Sequence, residues 1–199
     1  MAKKVCGVGI NDADYTLRKD NKVYWVYQIW HDMLRRCYDE KYHKNKPTYI
    51  NCEVCDEWKT YSIFEKWTKD PSNGFAEGCH LDKDIIGGKW NKLYSPETCC
   101  FVPRFINTLI LNDDEKRKKK NGNTPIGVTY YGKRYYARIS KYGEVVRIGS
   151  FDNEKDAFNA YKQAREAYIK EVADEYYSKG LITKRVYDAL LNYKIDIND

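Results

Sequence analysis

No run of apolar residues in this chain approaches the ~20 needed to cross a bilayer. With 32% of its residues charged, the sequence argues against a membrane protein. The opening MAKKVCGVGINDADY has basic residues but lacks an apolar signal core, so a cytoplasmic location is expected. Cysteines number seven, an odd count that suits thiols or metal ligands better than a disulfide framework. Apolar side chains are missing altogether from NDDEKRKKKNGNTP, residues 112–125, which contains five consecutive basic residues, Lys116–Lys120. That stretch ends in Asn-Gly and Thr-Pro turn signals and is expected to be an interdomain linker. It reads either as a solvated tether or as a basic strap across a phosphate backbone.

What is present is enough for a core. Hydrophobic residues make up 42% of the 199, and the chain carries 19 tyrosines and 5 tryptophans. Aromatic faces beside Arg and Lys suit bases and sugars, although core packing uses the same residues. The net charge of +6 is compatible with a polyanion partner without requiring one.

Before residue 112, Trp30, Met33, Leu34 and Cys37 recur at helical spacing and predict an amphipathic helix over 24–38. A second helix is expected over 60–69, burying Phe64 and Trp67. The stretch CHLDKDIIGGKWNKLYSPETCCFVP, residues 79–103, reads as strand, Gly-Gly loop and strand, followed by a helix over 103–111. If 79–86 is a regular strand, His80, Asp82 and Asp84 share one face and Lys83 points the other way. Cys52-x-x-Cys55 has metal-knuckle spacing, and Cys37 and Cys99 can complete a zinc-binding set; buried packing is the competing reading.

After residue 125, IGVTYYG, KRYYARIS and EVVRIGSF predict a three-stranded meander, and DNEKDAFNAYKQAREAYIKEVADEYY a long helix. Asn153 or Asp152 is the expected N-cap, and Ala157, Ala160, Tyr161, Ala164 and Tyr168 the buried stripe. Strand alternation puts Thr129, Tyr131, Arg134, Tyr136, Arg138 and Arg147 on the face away from that helix. Such a face suits a DNA major groove, with Arg reading guanine and Tyr or Thr holding phosphate. A short helix is expected near 183–193. The fold class is thus α+β, in two domains: residues 1–111, and residues 126–199 with a helical extension at the end.

Two resemblances sharpen these expectations. Gly127-Val128, Tyr136-Ala137-Arg138-Ile139, Ile148-Gly149-Ser150-Phe151, Glu154 and the Ala157-to-Tyr161 stripe resemble, in order, the APETALA-two DNA-binding domain of plant ethylene-response factors. That resemblance implies that the outward set above contacts double-stranded DNA. The plant domains carry arginines where this chain has Thr129 and Tyr131, which implies fewer direct guanine contacts.

Most of residues 7–111 resembles the HNH nuclease family, in the phage and mobile-element branch that pairs a ββα unit with an APETALA-two domain. The motifs are Trp30-x-x-Met33-Leu34-Arg35-Arg36-Cys37-Tyr38, Val54-Cys55-Asp56-Glu57-Trp58, Leu81-Asp82-Lys83-Asp84-Ile85, Tyr94-Ser95-Pro96-Glu97-Thr98-Cys99, Phe101-Val102-Pro103 and Ile106-Asn107. The resemblance implies Asp82 and Asn107 as ligands of Mg²⁺ (or Mn²⁺) and puts Lys83 where the family has its histidine base. A charged lysine is neither a ligand nor a base, and Lys83 would need a strongly lowered pKa to act as one; the base role falls to His80 or to such a Lys83, with Asp84 assisting. The expected function is metal-dependent cleavage or nicking of DNA. The alternative is an HNH-derived protein without catalysis, acting as a DNA-binding regulator or on a protein partner as an inhibitor of a host nuclease.

Overall fold

A computed structural model of the chain describes residues 4–20, 22–110 and 124–197. The basic run Lys116–Lys120 and most of the expected linker lie outside the described residues. None of the helices described is long and apolar enough to cross a membrane. Mixed helices and strands form two units: Met1–Asn107 with Leu181–Val186, and Thr108–Gly180 with Tyr187–Asp199. The division therefore falls after Asn107 rather than in the polar stretch beyond 111. Local bonds explain the departure. Arg165 donates to the Leu109 carbonyl, so 109 belongs with the second unit. Arg185 donates to the Pro96 carbonyl at 3.0 Å and to that of Glu97, which returns 181–186 to the first.

In chain order the elements of the first unit are β1 (Arg18–Lys19), β2 (Lys22–Val23), α1 (Trp25–Tyr38), α2 (Glu40–Asn45), β3 (Glu53–Val54), α3 (Tyr61–Thr68), β4 (His80–Asp82), α4 (Asp84–Gly87), β5 (Leu93–Tyr94) and β6 (Cys100–Val102), and α5 (Arg104–Ile110) crosses the first division. The apolar spacing of α1 buries Val26, Trp30, Met33, Leu34 and Cys37, as expected. Helix α3 buries Tyr61, Phe64 and Thr68, with Trp67 half-buried against the same core. Trp58 and Trp67 lie 4.4 Å apart between ring centroids, and Trp67 and Phe101 5.3 Å apart. The Trp30 indole N–H donates to the Trp58 carbonyl at 2.7 Å, so its one polar atom is satisfied in the interior. Much of the aromatic content thus serves packing.

Strands β4 and β6 pair antiparallel, with His80 opposite Val102 and Asp82 opposite Cys100, and α5 follows directly. The intervening β5 leaves this hairpin and pairs parallel with β3. Two strands and a helix occur in the expected order, but the second strand is Cys100–Val102.

The second unit contains β7 (Val128–Tyr131), β8 (Arg134–Lys141), β9 (Glu144–Phe151) and α6 (Glu154–Ser178); α7 (Lys184–Leu191) spans the later division. The three strands form an antiparallel meander in the order β7-β8-β9. Each hairpin turns through two residues at positive φ, Gly132-Lys133 and Tyr142-Gly143, as type I′ turns do. Asn153 caps α6, its Oδ1 accepting the Asp156 N–H at 2.9 Å. The buried stripe of α6 is Ala157, Phe158, Tyr161, Tyr168, Ile169, Val172 and Ala173. Ala160 and Ala164, expected in it, are only half-buried. Gly127 sits at φ +75, and a Cβ there would fall 2.0 Å from the Tyr161 ring. Only glycine lets the chain enter β7 so close to the helix.

Candidate functional site

Residue pairing sorts the sheet into two faces. Val128↔Ala137↔Gly149 and Ile139↔Val146 lie toward α6. Thr129↔Tyr136↔Ser150, Tyr131↔Arg134, Arg138↔Arg147 and Ser140↔Val145 lie on the other face. All six residues expected on the outer face are there together. A register shift between Ala137 and Arg138 gives β9 one additional residue, Ile148, which has no partner of its own. The strict alternation of β9 therefore breaks at this bulge.

The electrostatics of the outer face are lopsided. Arg134 pairs with Asp152 at 3.3 Å. Arg138 and Arg147 stand directly opposite each other, and neither has an ion-pair partner among the described residues. The Arg147 guanidinium lies 4.8 Å from the Tyr136 ring centroid, a cation–π contact. Tyr131 is 77% and Val145 70% exposed.

The second cluster lies at the β4–β6 hairpin and α5. Asn107 Nδ2 donates to His80 Nδ1 at 2.9 Å. With the amide so oriented, the ring proton of neutral His80 is on Nε2. Turning the amide over would let Oδ1 accept an Nδ1 proton and leave Nε2 with a free lone pair. Burial, then the charges of Arg104 and Arg36, hold His80 below its ordinary pKa, so it is neutral near pH 7. Arg104 lies one turn before Asn107 on α5, while Arg36, from α1, packs 5.8 Å from the Tyr49 ring centroid. Neither arginine was singled out from the sequence; the i,i+3 spacing of Arg104 and Asn107 on the helix was the available signal.

The strand expected over 79–86 stops at Asp82. Asp82 Oδ1 accepts the N–H groups of Asp84 and Ile85 at 2.8 and 2.7 Å, capping the single turn α4. His80, Asp82 and Asp84 therefore do not share a strand face, because that cap turns the chain at Lys83. Asp82 is only 8% exposed, and burial pushes its pKa up against the two N–H groups that favour the charge.

Lys83 is likewise 8% exposed. Its ammonium pairs with Asp84 at 2.5 Å and donates to the Asn91 carbonyl at 2.9 Å. An ammonium held by a carboxylate and a carbonyl offers no lone pair to a substrate proton. Lys83 and Asp84 thus form a structural pair, and of the two candidate bases His80 remains.

Cys37, Cys52 and Cys99 are buried in the first core and Cys55 half-buried beside it. Burial pushes the thiols of Cys37 and Cys99 up to about 12 and that of Cys55 up to about 11. Among the described residues, no three His, Cys, Asp or Glu side chains are grouped to hold a metal ion. Cys37, Cys52 and Cys99 belong to that core, and Cys55 packs against it.

The oxygen donors that remain near the hairpin are the Asp82 carboxylate, which retains acceptor capacity beyond its two N–H bonds, and Asn107 Oδ1. Carboxylate and amide oxygens are the donor types that Mg²⁺ accepts, one or two from protein and the rest from water and phosphate. No protein-family model matches this chain, and no curated protein or solved structure matches it either.

Proposed function

We propose that this chain binds duplex DNA through the outer face of the β7–β9 sheet. The observation that carries this reading is the Arg138–Arg147 pair. Like charges directly opposite across two strands are destabilising, and here no ion pair offsets them among the described residues. A polyanion relieves that repulsion. Three strands about 4.8 Å apart span roughly 10 Å, comparable with a major groove about 12 Å wide. The resemblance to APETALA-two domains supports the same face. Thr129, Tyr131 and Tyr136 supply hydroxyls for phosphate; Arg134, Arg138 and Arg147 supply charge and guanine contacts.

Fluorescence anisotropy with a mixed-sequence duplex tests this reading. Affinity should fall as salt rises, with a log–log slope near −0.9 per phosphate neutralised. Salt-independent binding, or none at low salt, refutes it.

The His80–Asn107 hydrogen bond favours a second reading: a phage- or mobile-element-encoded endonuclease of the HNH type that nicks or cleaves the bound duplex. Asp82 and Asn107 would hold Mg²⁺ or Mn²⁺, which supplies Lewis-acid stabilisation of charge on the phosphate. His80, kept neutral by burial and by the charges of Arg104 and Arg36, would accept a proton from water at Nε2 if its ring proton sat on Nδ1; Asn107 would then turn its oxygen to Nδ1–H and leave Asp82 to hold the metal. Lys83 and Asp84 take no part in the chemistry.

Supercoiled plasmid with Mg²⁺, Mn²⁺ or EDTA decides this second reading. Metal-dependent nicking abolished by His80→Ala supports it. An intact plasmid under all three conditions leaves DNA binding without cleavage, the behaviour of a regulator or of an inhibitor of a host nuclease.

A further inference from the structure

Trp90 is 82% exposed, whereas Trp30 and Trp58 are buried. A lone exposed aromatic is ordinary; the turn that carries this one is not. A Cβ on Gly87 would stand 2.6 Å from Asn91 Nδ2 and 2.8 Å from its Cγ, so a larger residue there would push the Asn91 side chain from its place. Asn91 N–H donates to the Gly88 carbonyl at 2.9 Å. Its amide nitrogen donates to the carbonyls of Leu93 at 2.7 Å and Lys83 at 3.2 Å. Its Oδ1 accepts the Leu93 N–H at 3.1 Å, and its carbonyl accepts from the buried Lys83 ammonium. The residue next to Trp90 is therefore tied to the chain on both sides of the turn. Lys83 gains a structural role from this: standing where a related nuclease would carry its base, it pins the turn that displays the indole.

The chemistry of the turn selects the partner. Residues 87–92 read Gly-Gly-Lys-Trp-Asn-Lys, with two cations and no acid. The Lys89 ammonium lies 5.3 Å from the Trp90 ring centroid. A rigid aromatic beside cations matches a base next to its phosphate. Burial in a lipid surface would call for more apolar side chains than this turn displays.

We infer that Trp90 is a base-stacking wedge, held ready by Gly87, Asn91 and Lys83, that inserts at a base step or covers an unpaired base. The inference rests on the duplex-binding reading and adds a contact made by the first unit. Stacking on an aromatic side chain makes a roughly 5- to 150-fold difference in affinity.

The test uses the full chain with a mixed-sequence duplex containing 2-aminopurine, comparing wild type, Trp90→Ala and Trp90→Phe. Wild type should raise 2-aminopurine emission as a step unstacks. Trp90→Ala should abolish that rise and weaken binding by the factor above, while the salt slope stays unchanged because no charge is removed. Trp90→Phe should restore most of both. The thermal midpoint of Trp90→Ala should match wild type, since the ring contributes little buried area. If Trp90→Ala binds and unstacks as wild type does while Arg138→Gln/Arg147→Gln loses salt slope, the wedge is refuted and the sheet reading stands. If wild type binds no DNA, both fall.

Discussion

Arg138→Gln should move stability and DNA binding in opposite directions. In the folded protein Arg138 faces Arg147 across β8 and β9, with no ion pair to offset the repulsion among the described residues. Removing one of two like charges at such a pair returns about 0.2–1 kcal/mol. For a unit of this size that raises the thermal midpoint by about 1–8 °C. Glutamine retains part of the aliphatic stem that lies on the sheet, so little packing is lost. On DNA the same change removes one neutralised phosphate and flattens the log–log salt slope by about 0.9. Between 50 and 200 mM salt that amounts to a difference of about 3.5-fold in the loss of affinity. Replacing Arg147 as well should double the change in slope, giving about 12-fold over the same range. Differential scanning calorimetry and anisotropy titrations at several salt concentrations measure the two effects on one preparation. A variant that is less stable than wild type would show that Arg138 holds the sheet together. A variant with unchanged slope would show that the face does not meet phosphate. Either result refutes the reasoning.

Asp82→Asn should stabilise the protein at pH 7, because Asn Oδ1 can still accept the Asp84 and Ile85 N–H groups while the buried charge disappears. Burial raises the folded-state pKa of Asp82, so the native state binds its proton more tightly and stability declines as pH climbs from about 3.9 through that raised value. Urea midpoints of wild type and Asp82→Asn should therefore converge in acid and separate toward neutrality; a neutral-pH loss of stability contradicts this. His80 has the opposite sign: its pKa is lowered on folding, so stability falls as pH drops below about 6.5 toward the folded value. His80→Gln should flatten that part of the stability–pH curve, and a curve identical to wild type would refute the assignment. Gly127→Ala combines a strained positive φ, worth about 1–2 kcal/mol, with overpacking against Tyr161, worth about 1–3 kcal/mol. Its denaturant midpoint should fall accordingly, and an unchanged midpoint would show that the β7 entry can shift at no cost.

The expectations that succeeded rest on repeats within one element. Trp30, Met33, Leu34 and Cys37 share a helix face whatever surrounds them, and all four are buried. The outer-face set of β7–β9 follows from alternation, which continues until the bulge at Ile148. The hairpin was harder to read. CHLDKDII alternates well enough to suggest a strand over 79–86, but Asp82 caps the following backbone and ends β4 at its own position. Local capping competes with strand periodicity, and pattern counting does not weigh the two. The parallel pairing of β5 with β3 joins residues about 40 apart in sequence, and nothing in either dipeptide announces it.

Composition and periodicity therefore dictate a chain of amphipathic helices and a basic, aromatic sheet, because those properties depend on neighbours one turn or two residues away. Folding alone brings His80 to Asn107, sets Arg138 opposite Arg147, and commits Lys83 to Asp84 and Asn91. Those relationships depend on which distant segments share a boundary and, for Lys83, on a charge denied water, and neither is set by neighbours along the chain.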